Sequence, residues 1–101
     1  MIDFTKIIGF DWDNGNDGKN DKHGVSKIEA EQCFFNVPLL VANDDTHSLP
    51  SEARYHALGK TDTARVLFIT FTLRESETLI RVISARSANR KEKASYEKNS
   101  T

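Results

Sequence analysis

Four arginines, Arg54, Arg65, Arg81 and Arg86, stand at or near the ends of apolar segments in the second half of the chain, with Lys22, His23, Glu92 and Tyr96 as candidate neighbours. A guanidinium is planar, permanently charged and able to hold two phosphate oxygens at once. The chemistry such a set suits is attack on a phosphodiester. Cleaving RNA without a metal needs three things: a deprotonated 2′-hydroxyl, a stabilised pentavalent phosphate and a protonated leaving oxygen. Arg54, Arg81 and Arg86 are candidates for the second task, and His23 and Glu92 for the proton transfers. Lys22 and Arg65 would add phosphate contacts, while Trp12 or Tyr96 could stack on a base.

Each of these residues also has a structural explanation. Arg81 lies among apolar residues and could pair with a carboxylate across a sheet. Glu92 follows Asn89 by three residues, the spacing of a capping box. His23 precedes a glycine and could complement a helix C-terminus, and Trp12 could serve as core. Cys33, the sole cysteine, has acidic and apolar neighbours that would raise a thiol pKa, so it reads as structural.

Other chemistries lack their signals. In DWDNGNDGKND, a calcium loop starting at Asp13 would have glycine at its third ligand position and Gly24 in place of the terminal glutamate. His23, His47 and His56 show no zinc spacing, and phosphate-binding glycine loops are absent. No cofactor and no metal are expected.

The chain has 101 residues, 38% hydrophobic and 29% charged, which fits a single domain over residues 1–101. Its net charge of −1 conceals an asymmetry: residues 1–50 carry four Lys/Arg against nine Asp/Glu, residues 51–101 ten against six. A basic surface built from the second half is compatible with an RNA partner. The longest apolar run, Val66 to Leu73, is too short to span a bilayer, and MIDFTKII lacks a signal peptide's features, so a cytoplasmic protein is expected.

The elements that must position these residues follow from local pattern. IIGFDWD reads as a first strand at a sheet edge, followed by a turn or weak first helix over NGNDGKND. Ser26 and Glu29 form a capping box opening a helix to about Phe35, with a core stripe of Ala30, Cys33, Phe34 and Val37. PLLVAND, RYHALGK, RVLFITFTL and ETLIRVISAR read as strands, the last three joined by short hairpins, with RVLFITFTL central. Regular alternation along the last strand puts Arg81 and Arg86 on opposite faces. A final helix starts near Asn89. The order is β-α-α-β-β-β-β-α: an α+β fold with an antiparallel sheet of about four to five strands, two N-terminal helices and one C-terminal helix.

GFDWD, KHGVS with EAEQCFFNVPLLV, HS…E…RYHALG, LF..FT.R and IRVISAR…KEK..Y occur in one order over nearly the whole chain. Together they resemble the BrnT toxins. Positions matching that family's pattern are Trp12, Asp13, Lys22, His23, Gly24, Arg54, Tyr55, Gly59, Arg81, Ser84, Arg86, Glu92 and Tyr96. The resemblance implies a RelE-like fold and a metal-independent endoribonuclease that inhibits translation. It also implies neutralisation by a BrnA-type ribbon-helix-helix antitoxin, with a toxin homodimer inside a heterotetramer. A second reading is a catalytically weak interaction protein, the toxin half of a DNA-bound autoregulatory complex.

Overall fold

The computed structural model describes residues 2–13, 15–16 and 23–99. The first of the two expected N-terminal helices, and Lys22 with it, falls mostly on residues outside that set. A 3₁₀ turn, Phe4–Lys6, which the sequence pattern did not reveal, is capped by the Asp3 side chain. It leads into a short strand β1, Gly9–Phe10. Helix α1, Lys27–Phe35, opens on the expected capping box: Ser26 Oγ accepts from the Glu29 N–H at 3.1 Å, and the Ser26 N–H donates to Glu29 Oε1 at 3.0 Å. Then come strands β2, Leu40–Asn43, β3, Arg54–Lys60, β4, Val66–Arg74, and β5, Leu79–Ser87, and helix α2, Arg90–Asn99.

The sheet order is β1-β5-β4-β3-β2, with the apolar strand β4 in the middle. β2 to β5 form an antiparallel meander, but β1 runs parallel to β5, so the sheet is mixed rather than wholly antiparallel. Hairpins force alternating directions on β2 to β5, whereas β1 reaches the far edge through α1 and is free of that constraint. One face buries Ala57, Leu67, Ile69, Phe71, Ile80, Val82 and Ala85 against Ala30 and Cys33 of α1. Gly59 permits this approach: a Cβ there would lie 2.9 Å from Cys33 Cβ. Burial pushes the Cys33 thiol up to about 12, consistent with the structural reading. Val37, expected in the core stripe, is 79% exposed. The helix ends at Asn36, whose extended backbone takes Val37 off the helical period.

Strand β5 is not regular. Thr70 faces Ser84 and Phe71 faces Val82, which leaves Ile83 as an extra residue, a β-bulge. Strict alternation from Ile80 would send Ser84 and Arg86 into the core, and an unpaired buried guanidinium costs several kcal/mol. The bulge substitutes Ala85, which is fully buried, and turns Arg86 outward. Arg81, paired with Thr72, and Arg86, paired with Phe68, therefore share one face, contrary to the expectation from a regular strand. Asn16 braces this region, donating from Nδ2 to the carbonyls of Val82 and Asp11, each at 3.0 Å.

Helix α2 lies on that second, outer face, against β3 and β4. Its capping box is formed as the sequence indicates: Asn89 Oδ1 accepts from the Glu92 N–H at 2.8 Å, and Glu92 Oε1 accepts from the Asn89 N–H at 2.9 Å. Tyr96 is its buried anchor, donating its hydroxyl to the Pro38 carbonyl at 2.7 Å. No described helix is long and apolar enough to cross a membrane.

Candidate functional site

Pairing registers resolve the outer face into rows of side chains running across the strands. Arg86, Phe68 and Leu58 form the row under α2; Ser84, Thr70 and His56 form the next; Arg81, Thr72 and Arg54 form the third. Along β4, Phe68 and Thr72 are four residues apart, so the arginine rows start about 13 Å from one another. A hydroxyl-imidazole row thus lies between two guanidinium-bearing rows.

Every arginine of this face already meets a carboxylate. Arg86 donates from Nη1 to Glu92 Oε1 at 2.7 Å and from Nη2 to Glu92 Oε2 at 2.9 Å, while its guanidinium carbon sits 4.4 Å from the centre of the Phe68 ring. The Glu92 carboxyl is held below the ordinary glutamate range, chiefly by the hydrogen bond from Arg86, against a smaller opposing effect of burial. Glu92 is thus both the helix cap and the brace of Arg86. Arg81 grips Asp13 with both terminal nitrogens, at 3.0 and 3.1 Å, and lies 3.5 Å from Asp11. Those bonds hold the Asp13 carboxyl low and raise the Arg81 guanidinium. Arg54 lies 3.7 Å from Glu52, which also meets Arg74 at 3.2 Å, and the Nε atoms of both arginines are buried without a hydrogen-bond partner.

The residue that sequence reasoning missed is His56, considered there only as a metal ligand. Its Nε2 lies 3.2 Å from Asp44 Oδ2 and its Nδ1 lies 3.1 Å from Thr70 Oγ1. Asp44, only 6% exposed, is also met by His47 Nδ1 at 2.9 Å. Burial alone would raise the Asp44 carboxyl, but the hydrogen bonds from His47 and the nearness of the two imidazoles hold it low. An ionised Asp44 beside Nε2 favours the tautomer with the His56 proton on Nε2, in which Nδ1 can accept from the Thr70 hydroxyl. The hairpin register supplies the signal that was available: Arg54, His56 and Leu58 alternate onto one face of β3 opposite Thr72, Thr70 and Phe68.

The other candidates lie elsewhere. Trp12 packs beside the core, its Nε1 donating to Glu31 at 2.7 Å. Arg65 ties Gly24 and Glu29 to Ser87 on the α1 side, where the exposed His23 also sits just ahead of α1. Tyr96 is 3% exposed and serves as the anchor of α2 rather than as an open ring surface. Among the described residues no group of three or more His, Cys, Asp or Glu is placed to hold a metal ion, and most of the acidic loop lies outside them.

The search of curated proteins returns no match. A family model does match, over residues 12–92, and its description is a ribonuclease toxin, BrnT, of a type II toxin-antitoxin system. That span takes in the strand, bulge and cap that assemble the arginine rows. By this match the chain belongs to the BrnT family of ribonuclease toxins of type II toxin-antitoxin systems.

Proposed function

We propose that this protein is a metal-independent endoribonuclease that cleaves RNA on the outer face of its sheet and thereby inhibits translation. The observation that carries the reading is the Ile83 bulge, which turns Arg81 and Arg86 to one face on either side of the Ser84–Thr70–His56 row. A phosphodiester between those rows would meet guanidinium groups from two sides, which suits stabilisation of the charge that builds on a pentavalent phosphate. The fold is read as RelE-like. The partner is a BrnA-type ribbon-helix-helix antitoxin, and the complex is a heterotetramer around a toxin homodimer.

One observation favours the second reading, a catalytically weak protein acting mainly as the toxin half of a DNA-bound regulatory complex. Arg81 and Arg86 are each clasped by a carboxylate, and Arg54 lies near one, which lowers their attraction for phosphate. The deciding experiment is induced expression in bacteria of the wild type, Arg81→Ala and Arg86→Ala, with growth and RNA integrity followed together. The ribonuclease reading expects RNA breakage and growth arrest that both substitutions relieve, at unchanged melting temperature within a few degrees. Intact RNA under the soluble wild type leaves the regulatory reading.

A further inference from the structure

We propose that His56 is the general base of the cleavage, taking the proton of the 2′-hydroxyl on its Nδ1 while Asp44 holds Nε2. The inference rests on the ribonuclease reading above and assigns the proton transfer that the arginines cannot perform. Three observations converge on it. His56 lies in the row between the arginine rows, where the scissile phosphate would sit. Its Nε2 lies 3.2 Å from a buried carboxylate, close enough to stabilise the imidazolium as it forms. Its Nδ1 lies 3.1 Å from a hydroxyl, that of Thr70, so the geometry suits a 2′-hydroxyl taking Thr70's place.

The step balances as follows. His56 Nδ1 removes the 2′-hydroxyl proton as the O2′–P bond forms, and the P–O5′ bond breaks. The leaving oxygen takes a proton from water, giving a 5′-hydroxyl and a 2′,3′-cyclic phosphate, and the imidazolium returns its proton to water. Facing the His56 ring are Asp44 and His47 from the β2–β3 connection, with Glu92 of α2 near enough to feel its charge. Phe68 of β4 stacks on it with ring centres 4.8 Å apart, and Arg86 of β5 lies over the same Phe68. The bland alternative is an imidazole that only tethers the β2–β3 connection to the sheet. A tether needs Nε2 and Asp44, but gives no reason for activity to depend on a base at Nδ1.

The test is single-turnover cleavage of a short RNA by purified protein across a pH series, comparing wild type with His56→Gln, whose amide can still donate to Asp44. The expected result is a loss of about 100-fold or more. The acid limb of the pH–rate profile should vanish, while affinity for a 2′-deoxy analogue and the melting temperature hold. A substrate with sulfur at the bridging 5′ position, which leaves without acid help, should not rescue the variant. Cleavage by His56→Gln within about threefold of wild type, or rescue by the sulfur substrate, overturns the assignment and leaves the ribonuclease reading standing. A wild type that cleaves no RNA, or that cuts the 2′-deoxy analogue equally well, overturns both. If His56→Gln proves unfolded, His56→Asn supplies the second arm: a folded His56→Asn should lose about 100-fold or more, and cleavage by it within about threefold of wild type counts against the proposal.

Discussion

Glu92→Gln separates the two roles that one carboxylate could have, bracing Arg86 or moving a proton. Glutamine keeps an oxygen for the Asn89 N–H and so preserves the capping box, but surrenders the charge that binds both guanidinium nitrogens. Arg86 is 39% exposed and Glu92 20%, so solvent screens the pair, and its loss is set at about 0.5–1 kcal/mol, the upper range for such a bidentate contact. In a domain of this size that corresponds to a melting temperature lower by about 2–8 °C. Alanine, which also removes the acceptor of the Asn89 N–H but leaves the Asn89 side-chain cap in place, should cost about 0.5–1 kcal/mol more. The pH dependence has a definite sign. The folded-state carboxyl is held below its unfolded value, so its contribution is present above that value and disappears as pH falls through the folded one. The melting-temperature gap between wild type and Glu92→Gln should stay constant from neutral pH down to about 5 and close below about 4. In single-turnover RNA cleavage the variant should lose less than about tenfold and keep the acid limb of its pH–rate profile. A loss of about 100-fold with the acid limb gone, in a protein whose stability changed only as stated, would refute the bracing role and make Glu92 the proton-transfer group.

Deletion of Ile83 removes the extra residue and leaves Ile80, Val82 and Ala85 in strict alternation, so the protein should fold with Arg81 and Arg86 still outward. Loss of folding on that deletion, seen by circular dichroism, would mean that β5 runs regularly and that Arg86 had been forced into the core. Gly59→Ala places a methyl 2.9 Å from Cys33 Cβ, and the overpacking should destabilise by about 1–3 kcal/mol in urea titrations. Cys33→Ala in the same protein keeps the Cβ and the carbonyl that the new methyl meets, so it should recover little of that loss. The Cys33 thiol, pushed up to about 12 and buried, should resist a thiol reagent at neutral pH until denaturant is added. Rapid labelling of the native protein would contradict its place under α1.

The elements were legible because they are written in short-range pattern. Ser26 with Glu29 and Asn89 with Glu92 announce helix starts, since the side chain and backbone that satisfy each other lie three residues apart. Strand β3 emerged with the expected bounds, and the hairpins fixed the order of β3, β4 and β5. The same local reasoning missed the direction of β1 and the exposure of Val37, because one is decided by the path across a sheet and the other by where a helix stops.

The sequence by itself determined the class of fold, the capped helices, the meander and the ordered motifs that mark the family. Only the tertiary structure decided which charges act together. Asp13 and Arg81 are 68 residues apart, and Asp44 reaches His56 only because β2 pairs with β3. Nothing local selects such contacts; they follow from sheet register. The bulge is the intermediate case, since the spacing of Ile80, Val82 and Ala85 hints at it. It forms because admitting one unpaired residue costs less than burying the Arg86 charge, a comparison that requires the core.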